Sequence, residues 1–307
     1  MLALFTSVEF IILYVFILST LYIHFRGHAR YDSLFRQLFD HSTFMAPINV
    51  FIYLFSKVPN RPYLDLAQFP QLKVLEDNWQ MIREEVLALT AESQIKASAQ
   101  YDDIGFNSFF RTGWKRFYLK WYGDYLPSAE QLCPKTVALL KNVPEIKGAM
   151  FALLGQHGKL VRHRDPYAGS IRYHLGIITP NSDQCFISVD GQHYSWRDGE
   201  AVLFDETYLH YAQNDTDMDR VILFCDIERP MRTRFATAIN HFFCNTLMAA
   251  SQTQNMPGDK VGFLNKIFKY LYQIRLVGKR LKAYNNKLYY TIKYTLFSVL
   301  FYLIFIP

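Results

Sequence analysis

Two histidines and one aspartate in the second half of the chain could hold a metal ion. They are His163 and Asp165, in the run His-Arg-Asp-Pro, and His210 further along. A His-x-Asp pair with a later histidine is the spacing of a two-histidine, one-carboxylate site, which holds iron(II) on one face and leaves open positions for a chelating cosubstrate and O₂. Residues i and i+2 of a strand face the same side, so we expect His163 and Asp165 to point inward and Arg164 outward.

A second group of side chains could bind the cosubstrate. Arg172 and His174 would share one face of the next strand. Arg220 lies ten residues after His210, and a turn at 214–217 would bring these two positions together across a hairpin. A buried guanidinium that donates two parallel hydrogen bonds to a carboxylate is the usual way to hold a dicarboxylic acid. The pattern therefore predicts 2-oxoglutarate as the cosubstrate.

Spacing alone leaves the ligand set open, because an isolated His-x-Asp pair is common and most single histidines are hydrogen-bonded structural residues. Asp205 and Glu206 are expected to be supporting or surface groups. His174 could replace a member of the first pair. Three further candidates for a ligand are therefore His157, His174 and His193.

The residues that surround these candidates have the texture of an all-β region. From Gly148 onward, short runs rich in β-branched and aromatic residues alternate with turn residues. Short strands at this spacing predict an antiparallel sandwich or barrel. Upstream, Leu75–Thr90 has helical periodicity and is expected to form a surface helix. The predicted strands are 149–154, 160–164, 170–178, 185–189, 193–196, 201–204 and 220–227.

The N-terminal residues predict a membrane anchor at 1–25. The stretch Leu2–Ile23 is apolar except for Glu9, and about 20 apolar residues cross a bilayer. A signal peptide would have a basic start and a small-residue cleavage site, and neither is visible. Because basic residues follow the stretch and none precedes it, the rest of the chain is expected in the cytoplasm. These residues are Arg26, His28, Arg30 and Arg36.

Two more segments suggest membrane contact. Thr43–Phe55 is an apolar run that contains Pro47 and could be interfacial, re-entrant or a buried helix. From Lys260 onward there are nine Lys and Arg residues and no acid; Lys266–Lys293 predicts an interfacial amphipathic helix. The final Tyr294–Ile306 is apolar but shorter than a usual span. We therefore expect an anchor at 1–25, a juxtamembrane segment at 26–65, a catalytic domain at 66–244 and a basic membrane-associated tail at 245–307.

Composition excludes several classes of protein. Half of the residues are hydrophobic and 17% are aromatic, so a folded core is expected. The four cysteines form no Cys-x-x-Cys pair, which argues against a disulfide scaffold or a zinc ribbon and favours a reducing compartment. We expect no nucleic-acid partner, and the oligomeric state is left open.

Longer motifs carry a family resemblance. They are HRDPYAGSIRYHLGI, then WxxGExxxFDETxxH, then RVILFCDIERP, with DIGF and GWKRFY upstream. Together these motifs resemble the aspartyl/asparaginyl β-hydroxylase family of 2-oxoglutarate oxygenases, over roughly residues 66–240. The resemblance implies a double-stranded β-helix, a jelly-roll or cupin-like core with flanking helices, an N-terminal transmembrane helix and an apolar C-terminal segment.

The resemblance also implies roles for particular residues. His163 and His210 would bind iron, and His174 would be a cosubstrate contact rather than a ligand. Peptide-modifying members of the family have glycine at the position of Asp165, so this chain keeps a complete triad and peptide hydroxylation does not carry over directly. The implied 2-oxoglutarate site consists of Arg172, His174 and Arg220.

Within the family, the HFRG junction and the GWKRFYLKWYGDYLPSA block resemble the bacterial lipid A hydroxylases. This implies 2-hydroxylation of a secondary acyl chain of lipid A by an enzyme at the inner membrane of a Gram-negative bacterium, its catalytic domain in the cytoplasm. A basic tail is attracted to an anionic lipid surface, which makes the bilayer a second expected partner. The alternatives are a peptidyl aspartyl/asparaginyl β-hydroxylase and a non-catalytic lipid-binding module.

Overall fold

The computed structural model describes residues 7–97, 103–106 and 109–305. Its strands are β1 (Tyr63–Leu64), β2 (Trp114–Trp121), β3 (Ile146–Leu154), β4 (Lys159–His163), β5 (Ser170–Ile178), β6 (Cys185–Val189), β7 (Gln192–Ser195), β8 (Ala201–Phe204), β9 (His210–Asn214) and β10 (Arg220–Glu228). Its α-helices are α1 (Val8–Phe25), α2 (Leu34–Leu38), α3 (Ala46–Phe55), α4 (Lys73–Asp77), α5 (Trp79–Ala91), α6 (Pro127–Leu132), α7 (Pro134–Lys141), α8 (Arg234–Phe243), α9 (Phe263–Tyr284) and α10 (Asn286–Phe305).

The strands form two antiparallel sheets that face each other. The larger sheet has the order β1-β8-β5-β10-β3-β2, and the smaller sheet has the order β4-β9-β6-β7. In the larger sheet, β5 and β10 are buried along almost their whole length, as expected for central strands covered on both faces. This arrangement confirms the predicted double-stranded β-helix with flanking helices.

The hairpin predicted between His210 and Arg220 is wrong. The strand β9 pairs with β4 and β6 in the smaller sheet, whereas β10 pairs with β3 and β5 in the larger sheet. The connection 215–219 therefore crosses from one sheet to the other instead of turning within one. His210 and Arg220 consequently approach the space between the sheets from opposite sides.

Among the described residues, two helices are long and apolar enough to cross a membrane by length and composition. They are α1, with a mean hydropathy of 2.0, and α10, with 1.4 and no buried residue in the apolar window. The helix α10 begins at Asn286, so the span is longer than the apolar run that begins at Tyr294. The rings of Phe10 and Phe305 are 5.3 Å apart, so the start of α1 lies beside the end of α10.

The apolar run Thr43–Phe55 contains α3, which packs on the β domain. Ile52 and Asn49 are buried, and the Nδ2 of Asn49 donates to the carbonyl of Pro166 at 2.9 Å. Of the three alternatives for this run, the buried helix matches its C-terminal part. The helix α5 likewise packs its inner face on the core while its outer face is exposed.

Candidate metal centre and cosubstrate pocket

An irregularity in the β4–β9 ladder brings the two histidines together. Leu160 pairs with Ala212, and His163 pairs with His210, with a register shift between the two pairs. Three steps along β4 thus match two steps along β9, which is a β-bulge with one extra residue in β4. The bulge places Leu160 and His163 on the same face although they are three residues apart, and both line one cavity between the sheets.

Each imidazole is oriented by a main-chain carbonyl two residues earlier. The Nδ1 of His163 is 2.7 Å from the oxygen of Val161, and the Nδ1 of His210 is 2.9 Å from the oxygen of Tyr208. With Nδ1–H as the donor in both contacts, each Nε2 keeps a free lone pair, as in metal-bound histidines. The Nε2 of His163 is 3.5 Å from Oδ1 of Asp165. One potential ligand atom from each of the three side chains lies within 4.8 Å of the other two.

The protonation states suit a divalent cation. Burial lowers the pKa of His163 and lowers that of His210 to about 3, so both imidazoles are neutral at pH 7. Burial would raise the pKa of Asp165, but the Arg172 guanidinium and the two imidazoles hold it at about 2. Two neutral imidazoles and one carboxylate fit iron(II) by donor type. The side chains of His163 and Asp165 are 12% and 17% exposed, which leaves the site open on one side.

The backbone after β4 differs from the strand that was predicted through residue 164. The strand ends at His163, and Asp165 lies in the following loop, where its N–H donates to the carbonyl of Glu206 at 3.0 Å. Arg164 does point away from the cavity, and its Nη1 donates to the carbonyl of Thr207 at 3.0 Å. Contacts between the loop after β4 and the loop before β9 therefore hold Asp165 in place without strand periodicity.

Arg172 lies among three carboxylates at one end of the cavity. Its Nε is 2.7 Å from Asp226 and 2.8 Å from Glu206, and its Nη2 is 2.8 Å from Asp165. Burial raises the pKa of both Glu206 and Asp226, and Glu206 is shifted far above its usual range. The guanidinium thus fixes one carboxylate oxygen of Asp165. Its predicted contact with 2-oxoglutarate remains a prediction.

Arg220 and His174 differ from Arg172, because both are buried without such partners. Among the described residues, no carboxylate pairs with Arg220, and its Nε has no hydrogen-bond acceptor. Burial lowers the pKa of Arg220 to about 10. Both ring nitrogens of His174 likewise have no partner in the part of the chain that the structure describes. A small dicarboxylate would supply acceptors for these orphaned groups, so the residues fit 2-oxoglutarate.

The other sequence candidates lie away from the cluster. His157 is exposed, with its Nε2 3.1 Å from Asp217, and the exposed His193 stacks on Phe186. Asp205 and Glu206 are not surface groups, since both are buried. They support the site through ion pairs with neighbouring arginines.

Sequence reasoning missed two residues that line the cavity and one that pairs with Arg172. The Arg220 guanidinium lies 4.2 Å from the ring centroid of Trp196, and the ring of Phe109 is 4.7 Å from that of His163. Asp226 lies directly opposite Arg172 in the β5–β10 ladder. Opposite charges at two positions of otherwise apolar strands were the one available signal for this last pair.

Comparison with known proteins identifies a family and two relatives. The family model described as aspartyl/asparaginyl beta-hydroxylase matches residues 76–230. The chain is 34% identical over 181 residues to the ornithine lipid ester-linked acyl 2-hydroxylase of Rhizobium tropici, which covers 58% of this chain and 64% of that protein. It is 28% identical over 167 residues to the human aspartyl/asparaginyl beta-hydroxylase, which covers 53% of this chain and 21% of that protein. The chain thus spans less than two thirds of either relative.

A solved structure with similarity to this chain is a prolyl-4-hydroxylase from Pseudomonas putida. It has 14% sequence identity and a TM-score of 0.35, and the match covers 50% of this chain and 87% of that one. The fold assignment rests on the strand pairing described above. The family model spans half of the chain, including all three residues of the candidate metal centre, and on that match the chain belongs to the aspartyl/asparaginyl β-hydroxylase family of hydroxylases.

Proposed function

We propose that this chain is an iron(II)- and 2-oxoglutarate-dependent dioxygenase that 2-hydroxylates an ester-linked acyl chain of a membrane lipid. Its proposed substrate is a secondary acyl chain of lipid A, at the inner membrane of a Gram-negative bacterium. One observation carries the chemistry. The cavity that contains the His163, Asp165 and His210 donor set is also lined by the buried Arg220, whose guanidinium has no carboxylate partner in the part of the chain that the structure describes.

Each residue of the cavity has a part in this proposal. His163, Asp165 and His210 would hold the iron, and Arg220 would pair with the far carboxylate of 2-oxoglutarate. Iron with 2-oxoglutarate and O₂ supplies the oxidising power needed to hydroxylate an unactivated C–H bond. Aromatic side chains would exclude water from the reacting carbon, a role that suits Phe109 beside the ring of His163.

Three observations support a lipid as the substrate. The relative from Rhizobium tropici is named for an acyl 2-hydroxylation of a lipid. Two helices of this chain are apolar and long enough to cross a bilayer. From Lys260 onward there are nine cationic and no acidic residues, and each cation near an anionic surface contributes about 1 kcal/mol of attraction.

An ornithine lipid is the second candidate substrate, because that relative acts on an ester-linked acyl chain of this lipid class. Both candidates require the same reaction at the carbon next to an ester carbonyl. Peptide hydroxylation is the weaker alternative, since Asp165 departs from the glycine of the peptide-modifying members. A non-catalytic lipid-binding role would give no reason for a complete donor set beside an unpaired arginine.

The test uses purified full-length protein in detergent, with iron(II), ascorbate and 2-oxoglutarate. Lipid A, an ornithine lipid and an aspartate-containing peptide are supplied separately. We expect a product with one added oxygen at carbon 2 of an acyl chain of lipid A, coupled to succinate formation. Hydroxylation of the ornithine lipid alone would replace the lipid A assignment, and hydroxylation of the peptide alone would overturn the lipid proposal.

The catalytic assignment is tested with His163→Ala, and His193→Ala is the matched control because His193 is exposed and outside the cluster. We expect the first variant to bind no iron and form no product, and the control to match the wild type. Product formation by His163→Ala at the wild-type rate would contradict the catalytic role assigned to His163.

A further inference from the structure

The segment that follows α1 holds both loops of the metal centre. The Nη2 of Arg26, immediately after α1, is 2.6 Å from Asp205, and its Nη1 donates to Oγ1 of Thr207 at 2.6 Å. Asn49 donates to the carbonyl of Pro166 and accepts from the N–H of Ala168, both at 2.9 Å. Asp165 therefore lies in a loop that contacts α3. His210 follows a loop that contacts Arg26, at the end of a candidate membrane span.

The same segment exposes a concentration of large apolar side chains. Phe35 and Phe39 are 65% and 61% exposed, and their rings pack against each other at 4.7 Å. Water-facing surfaces rarely expose adjacent aromatic rings in this way, and such patches mark surfaces that contact lipid or protein. The exposed apolar residues between positions 34 and 45 are Leu34, Phe35, Leu38, Phe39 and Phe44.

A contact with α10 places this patch beside the start of the uncharged part of that helix. The Nζ of Lys293 is 5.3 Å from the ring centroid of Phe39, and Lys293 is the last charged residue before the uncharged stretch 294–305. Lysines at such positions extend their ammonium groups to the membrane surface. Because the far ends of α1 and α10 also meet at Phe10 and Phe305, Phe39 lies near the polar end of the pair of helices.

The segment that carries the patch also lies close to the metal centre. The hydroxyl of Tyr31 donates to Asp40, the residue after Phe39, at 2.9 Å. The Tyr31 ring centroid is 6.0 Å from the guanidinium of Arg164, which lies between His163 and Asp165 in the sequence. A path from the apolar patch to the donor set is therefore short. Inside the cavity the path would continue along apolar walls, which include Leu160 and Phe109.

We infer that residues 34–45 form an interfacial segment that enters the lipid leaflet beside α1 and α10, and that an acyl chain passes along it from the bilayer to the metal centre. The occupant of the patch is the bilayer itself, because the patch is continuous with two helices of spanning length. The second half of this inference rests on the proposed acyl hydroxylation, whereas the first half does not.

The first half is tested by fluorescence. The full-length variant Phe39→Trp is reconstituted in vesicles of phosphatidylethanolamine and phosphatidylglycerol, with and without acyl-brominated phosphatidylcholine. Leu87→Trp is the matched control, because Leu87 is an exposed apolar residue of α5, on the β domain. After subtraction of the wild-type signal, we expect the brominated lipid to quench the added tryptophan of the Phe39→Trp variant by about half or more, since aromatic side chains of an interfacial segment lie at the acyl boundary. The added tryptophan of the control should keep its full emission.

Two results would overturn the interfacial segment. Quenching of the Phe39→Trp variant by acrylamide but not by brominated lipid would show that the patch faces water. Protection of its added tryptophan from both quenchers would show that a second copy or another protein covers the patch.

The second half is tested by activity in the same vesicles. For the variant Phe35→Ser/Phe39→Ser we expect the KM for a bilayer-embedded acyl substrate to rise about tenfold, because the anchoring apolar area is lost. The kcat for a water-soluble short-chain acyl ester should stay at the wild-type value, and Leu87→Ser should match the wild type with both substrates. An unchanged KM for the embedded substrate overturns the passage. If wild-type protein hydroxylates no acyl chain, the proposed function fails, while the quenching result on the segment stands.

Discussion

Two buried arginines line one cavity, and their surroundings are opposite. Arg172 lies within 2.8 Å of three carboxylates, those of Asp165, Glu206 and Asp226. Arg220 has no carboxylate partner among the described residues and rests on the ring of Trp196. The first charge is neutralised by the protein, and the second is not.

This difference in ion pairing indicates that Arg172 stabilises the fold, whereas Arg220 is suited to bind an anionic ligand. A buried guanidinium among carboxylates is costly to remove, because the remaining charges stay buried. A buried guanidinium without a partner costs free energy in the unliganded protein, and an anionic ligand recovers it. Four substitutions would break or sharpen this comparison.

The largest effect on stability is expected for Arg172→Met. The change leaves the carboxylates of Asp165, Glu206 and Asp226 without their common cation, so we expect the free energy of unfolding to fall by about 3–5 kcal/mol. Urea unfolding in detergent, followed by fluorescence, measures it. The control is Arg83→Met, which removes a partly exposed pair with Asp198 and should cost less than about 1 kcal/mol. Equal losses in the two variants would contradict the comparison.

Arg220→Met should reverse this pattern. We expect its affinity for 2-oxoglutarate to fall by about 2–5 kcal/mol, a factor of roughly thirty or more. The free energy of unfolding without ligand should not fall, because the variant removes an unpaired buried charge. Calorimetry under argon and urea unfolding give the two values. A large loss of stability with unchanged affinity would assign Arg220 a structural role instead.

Asp205 is the reverse of Arg172: one buried carboxylate lies between two guanidiniums. Its distances to Arg26 and Arg229 are 2.6 and 2.8 Å. Burial alone would raise the pKa of Asp205, but the two guanidiniums hold it well below its usual range. Stability from such a group is present above the unfolded-state pKa of about 3.9 and is lost as the pH falls toward the folded-state value.

We therefore expect the free energy of unfolding of the wild type to decrease as the pH falls below about 4. In the Asp205→Asn variant this decrease should be smaller, because the titrating carboxylate is absent. At pH 7 the variant should already be less stable, because both guanidiniums lose their counter-charge. Thermal unfolding between pH 3 and 7, in steps of about one unit, measures the difference. Parallel pH profiles for the two proteins would show that this ion-pair network contributes nothing to acid sensitivity.

The smallest effect is expected for Asn49→Ala, which removes uncharged contacts to the loop of Asp165. Loss of the bonds to Pro166 and Ala168 should cost about 1–2 kcal/mol of stability and weaken iron binding several-fold. Asn142→Ala, at an exposed position, is the control and should change neither quantity. Iron titration followed by spectroscopy measures the affinity. An unchanged affinity would mean that ion pairs alone hold the loop.

The sequence predicted the fold class because the relevant signals are local. Apolar runs such as 170–178 and 220–227 are strands in the structure as predicted, within a residue at their ends. The strand β2 was missed because Lys115, Arg116 and Lys120 interrupt its apolar pattern; Arg116 is buried through an ion pair with Asp103. A local sequence pattern does not show that the charge of Arg116 will be paired with a residue that is distant in the sequence.

The site was less predictable than the fold, because its geometry depends on pairing between strands. The spacing of His163 and Asp165 correctly predicted that the two side chains lie together. The predicted reason, a shared strand face, is wrong, because Asp165 lies in a loop. The position of Arg220 opposite His210 across the cavity depends on which sheet each strand joins, and sequence distance does not report this. The roles of these residues in binding iron and 2-oxoglutarate remain predictions.

The extra residue in β4 determines which side chain lies opposite His210. In a ladder without the bulge, Arg162 would lie opposite His210, because each step along β4 would match one step along β9. A cation would then stand where a divalent ion is expected, and repulsion would keep the ion out. A one-residue slip between two strands, with every side chain retained, would thus remove His163 from the donor set that it forms with Asp165 and His210.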